Sequence, residues 1–186
     1  MDYFAVIDTE TNWNNEVMSI GVVIAEKDTF KKVDDLYFIV DPEYKIGGMF
    51  SMVLPVKGRS PKDILFTRKI AIEKFKVAFE QYGVRDLFAY NGSFDKNLLK
   101  ELASYRWFDI MKIAAYRQYN DKIPASIECC KTGKMKRNYG VEPMMQLLSG
   151  NCRYTEVHNA LYDAADELEI MRLLGKTLEE YMVAEI

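Results

Sequence analysis

The sequence is poor in the residue types that build disulfide frameworks and thiolate metal sites. Its 186 residues include one histidine, His158, and three cysteines, Cys129, Cys130 and Cys152. An odd number of cysteines, two of them adjacent, fits neither a disulfide framework nor a zinc site with two residues between paired cysteines. This cysteine content is typical of a protein in a reducing compartment, so we expect a cytoplasmic location.

Long apolar runs and a strong excess of charge are also lacking. No apolar run reaches about 18 residues, so we expect no membrane span. The N-terminal MDYFAVIDTE has no basic region followed by a long apolar one, which argues against a signal peptide. The net charge of −3 does not indicate a strongly basic, nucleic-acid-binding domain. A phosphate-containing substrate would therefore need metal ions or a local basic patch.

Apolar and β-branched segments predict the strands of an α/β fold. DYFAVID, EVMSIGVVIAEK and FKKVDDLYFIV are typical of three strands joined by short connections, and RDLFAYN of a later buried strand. Strands first, then strands alternating with helices, favour a mixed sheet with the first strand in a central position. The length favours a single domain over residues 1–186.

Three longer helices are predicted between and after these strands, besides a short one over PMMQLLSG that ends at Gly150. The first runs from Ser60 to Tyr82, with proline at its first helical position, and the second covers SFDKNLLKELASY with Ser93 as its cap. The last runs from Asn159 to about Tyr181, where leucine, alanine and methionine recur with helical spacing. This final helix follows directly on the single histidine.

Four acidic residues and the histidine lie where a functional site could form. Asp8 and Glu10 end the first strand, with their side chains on the same side of an extended chain. Asp95 lies in the first turn of the second helix, and Asp163 follows His158 at the start of the last one. Each has an ordinary alternative: solvated acids at a strand end, a helix-capping acid, an acid on the wet face of a helix, and a surface histidine.

Together these residues form three motifs. FAVIDTET is a strand ending in Asp-x-Glu and is followed by VMSIGVVI, AYNGSFDKNLL contains Asn-x-x-Phe-Asp before a helix, and HNALYDAADE has His, four residues and Asp opening the last helix. In this order the motifs resemble those of the DnaQ-like, or DEDDh, exonucleases, and the similarity spans essentially the whole chain. The resemblance implies a ribonuclease H-like α/β fold with a central five-stranded mixed sheet flanked by helices.

The resemblance also implies an activity. The members of the DEDDh family are metal-dependent 3′-to-5′ exonucleases. By this resemblance, residues 1–186 would be a single exonuclease domain that releases nucleoside 5′-monophosphates from single-stranded or frayed 3′ ends of DNA or RNA. The implied cofactors are two divalent ions, Mg²⁺ or Mn²⁺, which as hard cations prefer carboxylate oxygen to thiolate. The implied partner is a nucleic acid with a free 3′ end.

The resemblance assigns a role to each motif residue. Asp8 would bridge both ions, and Glu10 and Asp163 would help to hold the ion that binds the attacking water. Asp95 would support the second ion, directly or through water. His158 would accept the proton of the attacking water as a general base.

Other residues are candidates for substrate contacts. Trp13 stands where the family often has glycine, and it could stack on a base or pack its own loop. The run KTGKMKR could follow a phosphate backbone or be a solvated loop. Asn91 and Phe94 of the second motif could contact the substrate, or they could be an ordinary turn asparagine and a core phenylalanine. By resemblance or position, the candidates are Thr9, Thr11, Trp13, Asn91, Phe94, Lys134, Lys136 and Arg137.

Two other functions are compatible with this sequence. A non-catalytic module could bind nucleic-acid ends or dock on a larger replication, repair or RNA-processing assembly, although the presence of all five motif residues argues against it. An enzyme of the same fold could instead act on free nucleotides or very short oligomers. A homodimer is a further expectation, because several relatives act as dimers.

Overall fold

The computed structural model describes residues 2–186, which form a mixed β-sheet between layers of helices. The strands are β1 (Tyr3–Thr11), β2 (Val17–Glu26), β3 (Lys32–Val40), β4 (Leu65–Phe66), β5 (Asp86–Ala89) and β6 (Arg106–Asp109). They lie in the order β4-β3-β2-β1-β5-β6, so the first strand is central, as predicted. β2 is antiparallel to β1 and β3, whereas β5 is parallel to β1 and β6 is parallel to β5.

Helices cover both faces of this sheet. The α-helices are α1 (Pro61–Ile64), α2 (Arg68–Tyr82), α3 (Ser93–Leu98), α4 (Ile110–Ala114), α5 (Val141–Ser149) and α6 (Ala160–Leu174). α2 buries Ile72, Phe75 and Phe79 on one face, and α4, α5 and α6 contribute to a separate apolar core on the other. Among residues 2–186, no helix is long and apolar enough to cross a membrane.

The sheet has six strands rather than the predicted five, because the segment from Ser60 to Tyr82 is not one helix. After the short α1, Leu65 and Phe66 become extended and pair in parallel with the end of β3. Together with Ile64 they make three consecutive apolar residues, which would point in three directions around a helix. Extending the chain lets these residues pack against the edge of the sheet, and α2 then begins after Thr67.

Two further helix boundaries differ from the prediction. α6 ends at Leu174 rather than near Tyr181, because Gly175 adopts a left-handed conformation with φ of 67°. The chain then forms a separate 3₁₀ turn over residues 178–184. The second predicted helix is also shorter, since α3 ends at Leu98, and its N-cap is Gly92 rather than Ser93.

Gly21 of β2 lets the start of α6 lie directly on the sheet. It pairs with Asp8 of β1, and a Cβ atom at this position would lie 2.1 Å from the carbonyl oxygen of Ala160 and 2.3 Å from the backbone nitrogen of Leu161. Because real Cβ atoms do not come this close to backbone atoms, only glycine fits here. The contact brings the first turn of α6 next to the end of β1.

The Gly21→Ala variant is therefore expected to be destabilised, by an amount at the upper end of the roughly 1–3 kcal/mol typical of overpacking. The variant must move α6 off the sheet to admit the methyl group. Urea unfolding followed by circular dichroism would measure the loss. Gly140→Ala is a suitable control, since Gly140 has a φ of −75° and its added Cβ would come no closer than 3.9 Å to Pro143. Equal stability of the two variants would contradict this role for Gly21.

Candidate active site

Acidic residues from three elements converge at the carboxyl end of the central strand. Asp8 and Glu10 end β1, while Asp95 lies in the first turn of α3, which follows the parallel neighbour β5. Asp163 lies in the first turn of α6, which packs against β1 and β2. Carboxyl ends of parallel strands meet at one edge of a sheet, where α/β proteins place their sites. The structure therefore brings together all four predicted acids.

Short contacts join these side chains. Ligand atoms of Glu10, His158 and Asp163 all lie within 4.8 Å of one another. The Thr9 hydroxyl donates a hydrogen bond of 2.7 Å to Oδ1 of Asp95. One oxygen of Asp163, Oδ1, is buried without a hydrogen-bond partner among residues 2–186. A buried carboxylate oxygen without a partner is costly, and a cation would satisfy it.

Burial and mutual repulsion raise the pKa values of the acids. Burial is the main cause of a rise in the pKa of Glu10 to about 7, of Asp95 to about 7 and of Asp163 to about 9. The pKa of Asp8 is raised well above its ordinary value by burial and by the neighbouring carboxylates of Asp95, Glu167, Asp163 and Glu10. Within residues 2–186, no lysine or arginine forms an ion pair with these acids. The cluster therefore concentrates negative charge that only an added cation or protons can neutralise.

His158 lies directly before Asn159, the N-cap residue of α6. Its φ of 59° is unusual for a residue other than glycine. Its ring stacks on Phe50, with centroids 4.1 Å apart and planes 15° apart, and its Nδ1 lies 4.0 Å from a carboxylate oxygen of Glu156. The next residue, Asn159, caps α6 by accepting the Leu161 N–H, so the imidazole is placed by the end of a well-anchored helix.

Sequence reasoning missed Glu167 as part of this cluster. Glu167 is 1% exposed and lies one helical turn after Asp163, and its Oε2 accepts the backbone N–H of Tyr90 at 3.0 Å. Burial raises its pKa well above the ordinary value, with Asp95 as the next cause. The signal was present in the spacing, because residues four apart share one face of a helix. It was obscured because acids on a helix usually face water.

The candidate substrate contacts fall into two groups. Near the acids, Thr9 is buried and its hydroxyl is engaged by Asp95, and Thr11 follows an irregularity in the pairing of β1 with β2. Trp13 is 68% exposed, and its backbone N–H donates to the Gly47 carbonyl. This exposure is consistent with base stacking and does not support packing of its own loop. Asn91, with φ of 59°, and Phe94, which is 41% exposed, are also on the surface.

The basic residues form the second group, on an irregular segment between α4 and α5. Lys136 and Arg137 are exposed, and Lys136 forms an ion pair of 3.3 Å with Glu128. Lys134 lies over the ring of Tyr139, with its Nζ 4.2 Å from the ring centroid. Lys134 also acts on Asp109: burial raises the pKa of Asp109, and the lysine ammonium opposes that rise. Of these three basic residues, Lys134 is therefore the one that acts on Asp109, at the carboxyl end of β6.

Comparison with known proteins identifies the fold. No family model matches the chain, and no curated protein matches it. Solved structures do match, among them the nuclease domain of 3′hExo, described as a DEDDh family member bound to rAMP. That structure has a TM-score of 0.60 and 20% identity, over 92% of this chain and 90% of that one. The chain has the ribonuclease H-like fold of the DEDDh exonucleases.

Two other solved structures of exonucleases also match this chain. Exonuclease X in complex with 5′ overhanging duplex DNA has a TM-score of 0.57 and 23% identity, and the match covers 97% of this chain and 98% of that one. A 3′-exonuclease that recognises the 3′ end of a histone mRNA stem-loop has a TM-score of 0.64 and 20% identity, over 93% of this chain. The match spans 63% of that longer protein. The predicted ribonuclease H-like fold is confirmed, apart from the additional edge strand β4.

Proposed function

We propose that the chain is a metal-dependent 3′-to-5′ exonuclease that hydrolyses phosphodiester bonds at single-stranded or frayed 3′ ends and releases nucleoside 5′-monophosphates. The observation that carries this proposal is the convergence of Asp8, Glu10, Asp95 and Asp163 beside His158, in the fold of known exonucleases. The fold alone would not be enough, because one fold can host many functions. The conjunction of fold and acidic site supports the proposal.

The chemistry of the donor set fits hard divalent cations. The cluster offers carboxylate oxygens and no thiolate, and one of its oxygens, Oδ1 of Asp163, is buried without a partner among the described residues. Asp8, Glu10, Asp95 and Asp163 would hold two ions, and Mg²⁺ and Mn²⁺ are the cations that such a set prefers. When bound, such ions neutralise the charge of the reacting phosphate and increase the acidity of a coordinated water.

The surrounding residues orient the acids and handle the proton. Thr9 holds the carboxylate of Asp95 through its hydroxyl, and the backbone of Tyr90 holds that of Glu167. His158 has a ring nitrogen within 4.8 Å of both Glu10 and Asp163, so it can accept a proton from a water molecule bound beside them. A base in this position makes the water a stronger nucleophile toward the terminal phosphodiester.

Replacing His158 with alanine is expected to reduce kcat by about a hundredfold, at the low end of the usual contribution of a general base. Manganese affinity, measured by calorimetry, should change little, since the carboxylates remain. The assay would follow the stepwise shortening of a 5′-labelled single-stranded oligonucleotide, with EDTA as the control that separates an exonuclease from a binding module. Equal losses in rate and in metal affinity would assign His158 to metal binding instead of proton transfer.

The choice between DNA and RNA is open to a direct test. The matching structures include exonucleases with DNA and structures with histone mRNA or rAMP, which supports nucleic acid as the substrate class and leaves the sugar undecided. Recognition of RNA depends on contacts to the 2′-hydroxyl. Digestion of matched DNA and RNA oligomers, with Mg²⁺ and Mn²⁺ varied, would determine both the preferred sugar and the product size.

We also propose a cytoplasmic location and a homodimer. The three cysteines are free, and two of them, Cys130 and Cys152, are exposed, which suits a reducing compartment. The dimer is proposed from the resemblance to relatives that act as dimers. Light scattering coupled to size-exclusion chromatography would measure the oligomeric state directly.

A further inference from the structure

Two lysine–tyrosine pairs form a surface beside the acidic cluster, which we call the rim surface and define as Lys112, Tyr116, Lys134 and Tyr139. Lys112 Nζ lies 4.3 Å from the ring centroid of Tyr116, and Lys134 Nζ lies 4.2 Å from that of Tyr139. Tyr116 and Lys134 face each other in an isolated β-bridge, so the two pairs adjoin. Lys112 belongs to α4, which directly follows β6 at the carboxyl end of the sheet.

The rim surface is fastened to the active-site end of the fold. The hydroxyl of Tyr90 donates a 2.6 Å hydrogen bond to the Tyr139 carbonyl, and the backbone N–H of Tyr90 donates to Glu167 in the acidic cluster. Glu142, three residues after Tyr139, provides a second link: it accepts the backbone N–H of Glu156, two residues before His158. Bonds to both sides of the cluster hold this segment at the edge of the site.

The two lysines of the rim surface form no direct ion pair in the described part of the chain, although Lys134 also acts on Asp109 through space. Within residues 2–186, neither Lys112 nor Lys134 forms an ion pair, whereas the nearby Lys136 pairs with Glu128. In a chain of net charge −3, two unpaired ammonium groups next to an acidic cluster are the local basic patch that a phosphate substrate would require. Phosphates are attracted to such groups in a salt-dependent way.

The tyrosines of the rim surface can contact the base of a nucleotide, as the lysines can contact its phosphate. Tyr139 is 37% exposed, and the Lys134 ammonium lies over its ring. Exposed aromatic rings beside cations are the usual platforms for single-stranded bases, because every base has a face that can stack. A base pair in a duplex is already stacked on both faces and does not offer this contact.

We propose that the rim surface binds the nucleotides upstream of the scissile phosphate, with Lys112 and Lys134 on phosphates and Tyr139 stacked on a base. The protein would then select single-stranded ends several nucleotides long over mononucleotide esters and dinucleotides. This inference rests on the proposed exonuclease function. It assigns the substrate class within that function: single strands long enough to reach past the site.

The experiment compares two substrates of different reach. One is a dT octamer, and the other is the p-nitrophenyl ester of thymidine 5′-monophosphate, which is too short to reach the rim surface. In Tyr139→Ala and Lys134→Ala, the ratio of kcat/KM for the octamer to that for the ester is expected to fall about tenfold, mainly through KM, since each variant removes a contact that only the octamer can reach. Lys74→Ala is the matched control, because Lys74 lies 4.7 Å from the ring centroid of Phe66 on the distant α2.

Binding is measured separately, by fluorescence anisotropy of the labelled octamer with Ca²⁺ as the metal. Lys134→Ala should reduce the slope of log affinity against log salt concentration by about 0.7, the value for one phosphate contact on a single strand. Tyr90→Phe removes the bond that fastens Tyr139, and it should weaken octamer binding in the same direction as Tyr139→Ala. Melting temperatures of the variants would show that the folded state is retained.

The outcomes separate the two proposals. Unchanged substrate ratios in a protein that cleaves both substrates would overturn the rim surface and leave the exonuclease function standing. A wild-type protein that cleaves neither substrate, yet binds the octamer through Lys134 and Tyr139, would overturn the function and support the surface. Absence of both cleavage and binding would overturn both proposals.

Discussion

Replacing Asp8 with asparagine is expected to reduce metal-dependent release of mononucleotides by about a thousandfold or more, because the charged centre of the proposed two-ion site is lost. Asp8 is repelled by every other acid of the cluster. Its pKa is raised by burial and then by the carboxylates of Asp95, Glu167, Asp163 and Glu10. Asparagine keeps the shape of the side chain and removes its charge. Cleavage of a 5′-labelled oligonucleotide with Mg²⁺ or Mn²⁺ would measure the loss.

The same substitution should have the opposite effect on stability without metal. Removing one ionised carboxylate from the cluster relieves both its burial cost and its repulsion of the neighbouring acids, so the melting temperature of Asp8→Asn in EDTA should exceed that of the wild type. Asp28→Asn is a suitable control. Asp28 and Glu26 are two residues apart, like Asp8 and Glu10, but Asp28 lies exposed in the turn after β2. Near-normal cleavage by Asp8→Asn would remove the assigned metal site.

The second large effect is the dependence of stability on pH and metal. Glu10 and Asp95 have a pKa of about 7 and Asp163 of about 9 in the folded protein. In the unfolded chain, carboxylic acids titrate near pH 4. Between these values the folded state binds more protons than the unfolded one, so the free energy of unfolding falls as the pH rises. The stability is fully present below about pH 4 and is lost progressively as the pH rises toward about 7 to 9.

Without metal, the melting temperature is therefore expected to fall by on the order of 10 °C between about pH 5 and pH 8.5, since each pKa unit corresponds to about 1.4 kcal/mol. Mn²⁺ should reverse the fall at the higher pH and have little effect at the lower one, because it binds ionised carboxylates. Scanning fluorimetry in EDTA and in Mn²⁺ would measure both. A flatter pH profile in Asp163→Asn would confirm the origin of the effect, whereas equal melting temperatures across the range in EDTA would contradict it.

The sequence predicted those parts of the site that depend on chain order and local spacing. Asp8 ends a strand and Asp163 opens a helix, and strand ends and helix starts have local signals, so their elements could be placed from the sequence. Their meeting depends on the parallel pairing of β1 and β5 and on the contact of α6 with Gly21. The resemblance supplied that long-range arrangement, which no local pattern contains.

The features that were missed depend on contacts between distant segments. Phe50 stacks on His158 across the fold, and its sequence surroundings show no strand or helix pattern. Glu167 has the spacing of an ordinary surface acid, and only the packing of α6 against the sheet buries it. The helix predicted from Ser60 was wrong for a related reason, since the edge of β3 offers Leu65 and Phe66 a partner that a helical pattern does not reveal.

The shortness of β4 has a consequence for solubility. It pairs only with Ile39 and Val40, so the outer edge of β3 from Lys32 to Phe38 has no strand partner among residues 2–186. An open strand edge can recruit strands from other molecules and seed aggregation. Here the edge carries Lys32, Asp34 and Asp35, and Lys32 and Asp35 form an ion pair of 2.7 Å. A second strand docking on this edge would have to desolvate these charges, so the edge resists aggregation, and a homodimer would be expected to form through another surface.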